Sequence, residues 1–212
     1  MNVTTQELKE LGASIIRMLS LVRESSQLAK RSLIDADITA TDLCIDNDKV
    51  IDEFMDRLEQ KILTIIALRQ PAATDLRFLA ASYRMLSDIE RAGDYAVHVS
   101  RTGKELASKP RLKKYTDMAR ILDIINDMIE NTIKALANSD AEAARYAHSM
   151  DLEIDDLYEQ IQRELLTYMM EDPQIISTAT KLLSTARYLE RLGDHLENVN
   201  EHIIFWLTSE RM

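Results

Sequence analysis

Apolar residues recur along this chain at the three-and-four spacing of a single helix face, and the recurrence stops at only a few places. Leu8, Leu11, Ile15, Leu19, Val22 and Leu33 predict a first helix over about residues 5 to 36, with Asp35-Ala36-Asp37 as its turn. Asp37 then caps a second helix that runs to about Arg69 and carries Ile45, Ile51, Met55, Leu58, Ile62 and Ile65. Gln70-Pro71 ends it, because the residue before proline avoids the helical region while proline fits the first turn of the next helix. The third helix, over about residues 72 to 106, has the seam Leu76, Leu79, Tyr83, Leu86, Glu90, Gly93 and Val97. A carboxylate and a glycine stand on that seam where a bundle needs large apolar groups.

Gly103 and a basic stretch with Lys104, Lys109, Pro110, Arg111, Lys113 and Lys114 separate two halves, residues 1–107 and 108–212. The second half predicts helices over about residues 112 to 138, 141 to 170 and 174 to 207. Asp140 caps the middle one, and Asp172-Pro173 repeats the stop-and-start chemistry of Gln70-Pro71. The repetition is also literal. Ile89-Glu90-Arg91-Ala92-Gly93-Asp94 returns as Leu189-Glu190-Arg191-Leu192-Gly193-Asp194, and Asp37, Asp48 and Asp52 map at a constant offset onto Asp140, Asp151 and Asp155. The expected fold is all-α: two tandem pseudo-symmetric three-helix bundles.

Composition agrees with long helices, since 212 residues contain only 4 Gly, 3 Pro and 5% aromatics beside 29% charged residues. Met1 is followed by polar residues rather than a basic and then apolar leader, and no apolar run approaches the roughly 20 residues that span a bilayer. A cytoplasmic protein without membrane insertion is expected. The single cysteine, Cys44, excludes an intramolecular disulfide and reads as a small core residue. A net charge of −10 disfavours binding to nucleic acid and favours cations and the basic faces of partners.

The acidic pairs give that charge a location. Asp48 and Asp52, Glu90 and Asp94, Asp151 and Asp155, and Glu190 and Asp194 are each one helical turn apart, so each pair shares a face. Such spacing alone is common in an acidic chain, as Asp123 and Asp127 show. Position along the hairpins is more telling. Counted from the turns near Gln70 and Asp172, each pair lies about 20 residues away, so an antiparallel hairpin at about 1.5 Å per residue brings both of its pairs to one level. Four facing carboxylates repel one another unless a cation sits among them. Oxygen-only donors suit magnesium, manganese, calcium or iron, with zinc also considered. His98 can add a nitrogen to the first set, whereas Glu197 and Glu201 extend the second, which is therefore expected to bind metal more tightly. Gly93 and Gly193, mid-helix beside these carboxylates, each cost about 1 kcal/mol and imply a close approach.

The linked motifs Leu189 to His195, Glu90 to Asp94, Arg69-Gln70-Pro71-Ala72-Ala73-Thr74-Asp75-Leu76-Arg77 and Asn47 to Asp52 resemble the PhoU family of phosphate-transport accessory proteins, over essentially the whole chain. The resemblance implies metal motifs at Asp48, Asp52, Glu90 and Asp94 and at Asp151, Asp155, Glu190 and Asp194. It also implies a homodimer that restrains the phosphate-starvation response between the ATPase subunit of the Pst phosphate transporter and a PhoR-type sensor histidine kinase. Tyr95 and His98 depart from the usual His and Asn of the first motif. A non-enzymatic regulator is expected. The competing reading is an all-α metal-dependent nucleotide pyrophosphatase, in which acidic helices hold magnesium against a triphosphate. A di-iron oxidase does not fit, because no histidine follows a glutamate by three residues.

Overall fold

Polar caps and a few left-handed turn residues divide the chain into helices. The structure is a computed structural model and describes residues 3–210. It contains α1 (Val3–Asp35), α2 (Ile38–Arg69), α3 (Ala73–Leu106), α4 (Thr116–Asn138), α5 (Ala141–Ser149), α6 (Asp151–Glu171) and α7 (Ile176–Thr208), with no strand among the described residues. The carboxylate of Asp37 accepts the amides of Thr39 and Ala40 at the start of α2, and Asp140 does the same for Glu142 and Ala143 at α5. Ala36, Gln70 and Ser139 adopt positive φ at the helix ends. Each lets the chain reverse without a long loop.

The fifth predicted helix is divided at Met150. There the amide of Met150 donates to the carbonyl of Ala147, and the amide of Glu153 to that of Met150, both 3.2 Å. These i,i+3 bonds tighten the chain locally, and the Ser149 hydroxyl competes for the Tyr146 carbonyl at 2.8 Å. The break makes Asp151 the first residue of α6. Helix α4 begins at Thr116, later than its apolar stripe predicts, because the segment around Pro110 forms turns. Pro173–Ile175 is a short 3-10 turn leading into α7.

Two helix triples with a shared core result: α1, α2 and α3, then α4, α5/α6 and α7. Ile51, Leu58 and Ile62 of α2 face Leu79, Leu86 and Ile89 of α3, all fully or almost fully buried. Where α1 crosses α3, Gly103 is required, since a Cβ there would stand 2.6 Å from the backbone of Ser32 and Leu33. Cys44 is buried near the Ser25 carbonyl, and burial pushes its thiol up to about 11, which leaves it an unreactive packing residue.

The halves join along α3 and α7, which run antiparallel. His98 stacks on Tyr188 with ring centroids 5.0 Å apart, Tyr95 stacks on His195 at 5.6 Å, and Asp88 reaches His202 at 3.4 Å. Tyr95 and His195 are equivalent residues of the two repeats, so the pseudo-twofold relation passes between them. No described helix is long and apolar enough to cross a membrane.

Candidate metal centres

Asp48 and Asp52 stand one turn apart on α2, facing Glu90 and Asp94 on α3. Gly93 makes that approach possible: a Cβ on it would lie 3.6 Å from Asp48 Oδ1 and 3.0 Å from Ile51 Cδ1. Asp48 Oδ1 is buried and accepts no hydrogen bond. Burial, followed by the charges of Asp94 and Asp52, pushes Asp48 up to about 6, with Arg101 opposing. Burial and Asp94 also raise Asp52 and Glu90. Arg91 closes the rim, 3.7 Å from Glu90 and 3.4 Å from Asp94.

The second set repeats this arrangement more tightly. One carboxylate oxygen from each of Asp151, Asp155 and Asp194 lies within 4.8 Å of the others, a group able to hold a metal ion. Asp151 is only 3% exposed. A Cβ on Gly193 would collide with Asp151 Oδ1 and sit 3.0 Å from Ile154 Cδ1. Asp151 Oδ1 and Glu190 Oε2 are buried and accept no hydrogen bond. Burial first, then Glu197, Asp155, Asp194 and Glu190, pushes Asp151 up to about 8. Burial raises Asp155 and Glu190 as well, each helped by Asp194. Glu197 is also raised by burial, although His148 stands 3.4 Å away and works against it. Arg191 bridges Glu190 at 3.4 Å and Asp194 at 3.0 Å, as Arg91 does in the first set.

The eight residues expected from the sequence thus lie on the facing helices of two hairpins, and among the described residues Asp151, Asp155 and Asp194 bring their oxygens within 4.8 Å of one another. A buried carboxylate oxygen that accepts no hydrogen bond is costly, and those of Asp48 and Asp151 stand among the charges of other carboxylates. A hard cation supplies the missing positive charge and accepts several oxygens at once. The donor chemistry thus fits a metal. His98 does not join the first group: it is exposed and stacks against Tyr188 on the α3–α7 seam. It shares the face of Asp94, one turn away, but the packing of α3 on α7 holds its ring against Tyr188.

A cluster that no spacing along the chain predicts closes the other side of this seam. Asp88 accepts from His195 at 2.9 Å and Asn198 at 3.3 Å and lies 3.4 Å from His202. Burial opposes its charge, but the hydrogen bonds of His195 and His202 hold it down to about 2. Only the packing of α3 on α7 brings these residues together.

A duplicated all-α bundle with an acidic cluster on one hairpin of each repeat is the class of protein that fold and site define. The model of the PhoU domain matches residues 15–102 and again 118–203. The chain belongs to the PhoU family. It is 50% identical over 164 residues to the phosphate-specific transport system accessory protein PhoU homolog of Deinococcus radiodurans, covering 77% of each chain. Its fold is similar to the crystal structure of PhoU from Pseudomonas aeruginosa, with a TM-score of 0.93 at 31% identity over 97% of this chain and 99% of the other. The phosphate transport system regulatory protein PhoU from Streptococcus pneumoniae gives a TM-score of 0.90 at 25% identity, covering 99% of both.

Proposed function

We propose that this protein is a metal-binding cytoplasmic regulator of phosphate uptake and phosphate-starvation signalling. The observation that carries the metal reading is the group Asp151, Asp155 and Asp194, with the buried Asp151 Oδ1 accepting no hydrogen bond. Asp48, Asp52, Glu90 and Asp94 hold the ion of residues 1–107; Asp151, Asp155, Glu190 and Asp194 hold that of residues 108–212. Iron, manganese, magnesium and zinc are the candidate ions. The bound charge locks each hairpin by replacing repulsion between its helices with shared coordination.

The names of the relatives support an accessory role at a phosphate transporter. Regulation proceeds through docking, with the transporter's ATPase subunit and a sensor histidine kinase as partners and a homodimer as the working form. Exposed apolar residues on the outer faces of the hairpins, Leu63 and Leu68 on α2 and Leu152, Leu166 and Met170 on α6, suit such contacts. The test places Asp151→Asn and Asp194→Ala variants in cells lacking the native protein. Restored repression of a phosphate-starvation reporter by wild type, and its loss in variants that are folded but metal-poor, is the expected result. Full repression by variants that hold no metal contradicts the link between metal and regulation.

A further inference from the structure

Beside the second acidic group, a half-open cavity of about 310 Å³ lies against the α3–α7 seam, lined by Tyr95, Ser184, Arg187, Tyr188 and Arg191. We propose that it binds a small phosphoryl oxyanion, such as inorganic phosphate or the phosphate of a small organic ester. The cavity presents two guanidinium groups one turn apart on α7. Arg187 makes no hydrogen bond or ion pair with another described residue and is felt only through space by Glu190. Arg191 is shared with Glu190 and Asp194. The two tyrosines add hydroxyl groups able to donate to oxygen, whereas the Ser184 hydroxyl donates to the Thr180 carbonyl at 3.0 Å.

The pseudo-symmetry shows what this cavity lacks. The equivalents of Ser184, Arg187, Tyr188, Arg191 and Tyr95 are Arg84, Ser87, Asp88, Arg91 and His195. On that side of the seam an internal anion, the Asp88 carboxylate, meets the imidazole and amide groups of α7. On the cavity side Tyr188 replaces the carboxylate, and among the described residues no carboxylate hydrogen-bonds or ion-pairs with Arg187, Glu190 acting on it only through space. A fork of guanidinium donors with nearby hydroxyls is the chemistry that recognises phosphate oxygens. Cation binding in the neighbouring acidic group, which rests on the reading above, draws Glu190 and Asp194 away and leaves Arg191 freer; Arg187 needs no such help.

Calorimetric titration of the full chain with inorganic phosphate, and separately with a nucleoside monophosphate, tests the site in chelator-stripped and in manganese-loaded protein. Binding is expected to weaken at least about tenfold in Arg187→Gln, to recover partly in Arg187→Lys, and to be unchanged in Arg84→Gln. The better of the two titrants identifies the source of the phosphoryl group. The manganese-induced rise in Tm, measured on the same samples, reports on the acidic group independently and is expected to survive in Arg187→Gln. No binding of either titrant at millimolar concentration, or binding that Arg187→Gln leaves intact, overturns the proposal. Binding that needs manganese and is lost in Asp194→Ala but not in Arg187→Gln overturns it too, since the anion would then sit on the metal.

Discussion

The two acidic groups descend from one pattern, yet they differ where helix geometry differs. In the first, α2 runs unbroken through Asp48, which stays partly exposed and feels the compensating charge of Arg101. In the second, the break at Met150 makes Asp151 a helix start and sinks it to 3% exposure, against Gly193 and within reach of Glu197. Replacing the positions of Val97 and Arg101 by Glu197 and Glu201 adds negative charge to the second group, although His148 takes part of it at 3.4 and 3.6 Å. Equal motifs thus yield unequal repulsion. The site that is worse without a cation gains more from one.

The largest separation between the two groups is expected from their glycines. Gly193→Ala drives a methyl group into the Asp151 carboxylate, so it should cost about 2–3 kcal/mol in urea unfolding and release the second metal. Gly93→Ala meets only the end of Ile51 at 3.0 Å, and the gain in helix propensity offsets that crowding to within about 1 kcal/mol. Similar losses for both would erase the contrast in packing.

Acidity should separate them next. In metal-stripped protein the folded chain holds the Asp151 proton up to about 8, whereas the unfolded chain releases it near pH ~4. Between those values the folded state binds more protons, so stability falls as pH rises and returns on acidification. Asp48 contributes the same sign only up to about 6. The slope of unfolding free energy between pH 6 and 8 (approximate bounds from these two groups) should therefore flatten in Asp151→Asn and persist in Asp48→Asn.

At neutral pH the same two variants, stripped of metal, should both gain stability, because each removes an acid that folding must either protonate, as at Asp151, or crowd while charged, as at Asp48. Asp151→Asn should gain more, by about 1 kcal/mol or upwards, a single pKa unit being worth about 1.4 kcal/mol. The smallest effect is expected from Arg101→Glu, which gives the first group the residue found at Glu201 and should tighten its manganese binding only several-fold. An unchanged affinity would show that charge at this distance is screened.

Much of this was legible before any coordinates. Caps at Asp37 and Asp140, stops at Gln70-Pro71 and Asp172-Pro173, and uninterrupted apolar stripes locate the helices because each rests on local chemistry. The level at which Asp48 meets Asp94, and Asp151 meets Asp194, follows from counting residues along rigid hairpins. The break at Met150 was not legible, since neither glycine nor proline marks it and the competing Ser149 hydroxyl is common in helices that stay straight. The Asp88, His195 and His202 cluster and the Arg187 cavity depend on the angle and register of α3 on α7, which no spacing within either helix encodes. The same packing explains why His98 turns to Tyr188 rather than to the carboxylates.

Thermal unfolding of chelator-stripped protein, with and without manganese and with bound metal counted, tests the paired-carboxylate centres most directly when wild type is set beside Asp94→Ala and Asp194→Ala. A ligand confined to the folded state at 100 times its Kd adds about 2.7 kcal/mol of stability. Wild type should show the largest rise in Tm, Asp94→Ala should keep most of it through the second centre, and Asp194→Ala should keep the least. A stripped protein that no ion stabilises, or equal affinities in the two variants, would contradict the metal centres or their inequality respectively.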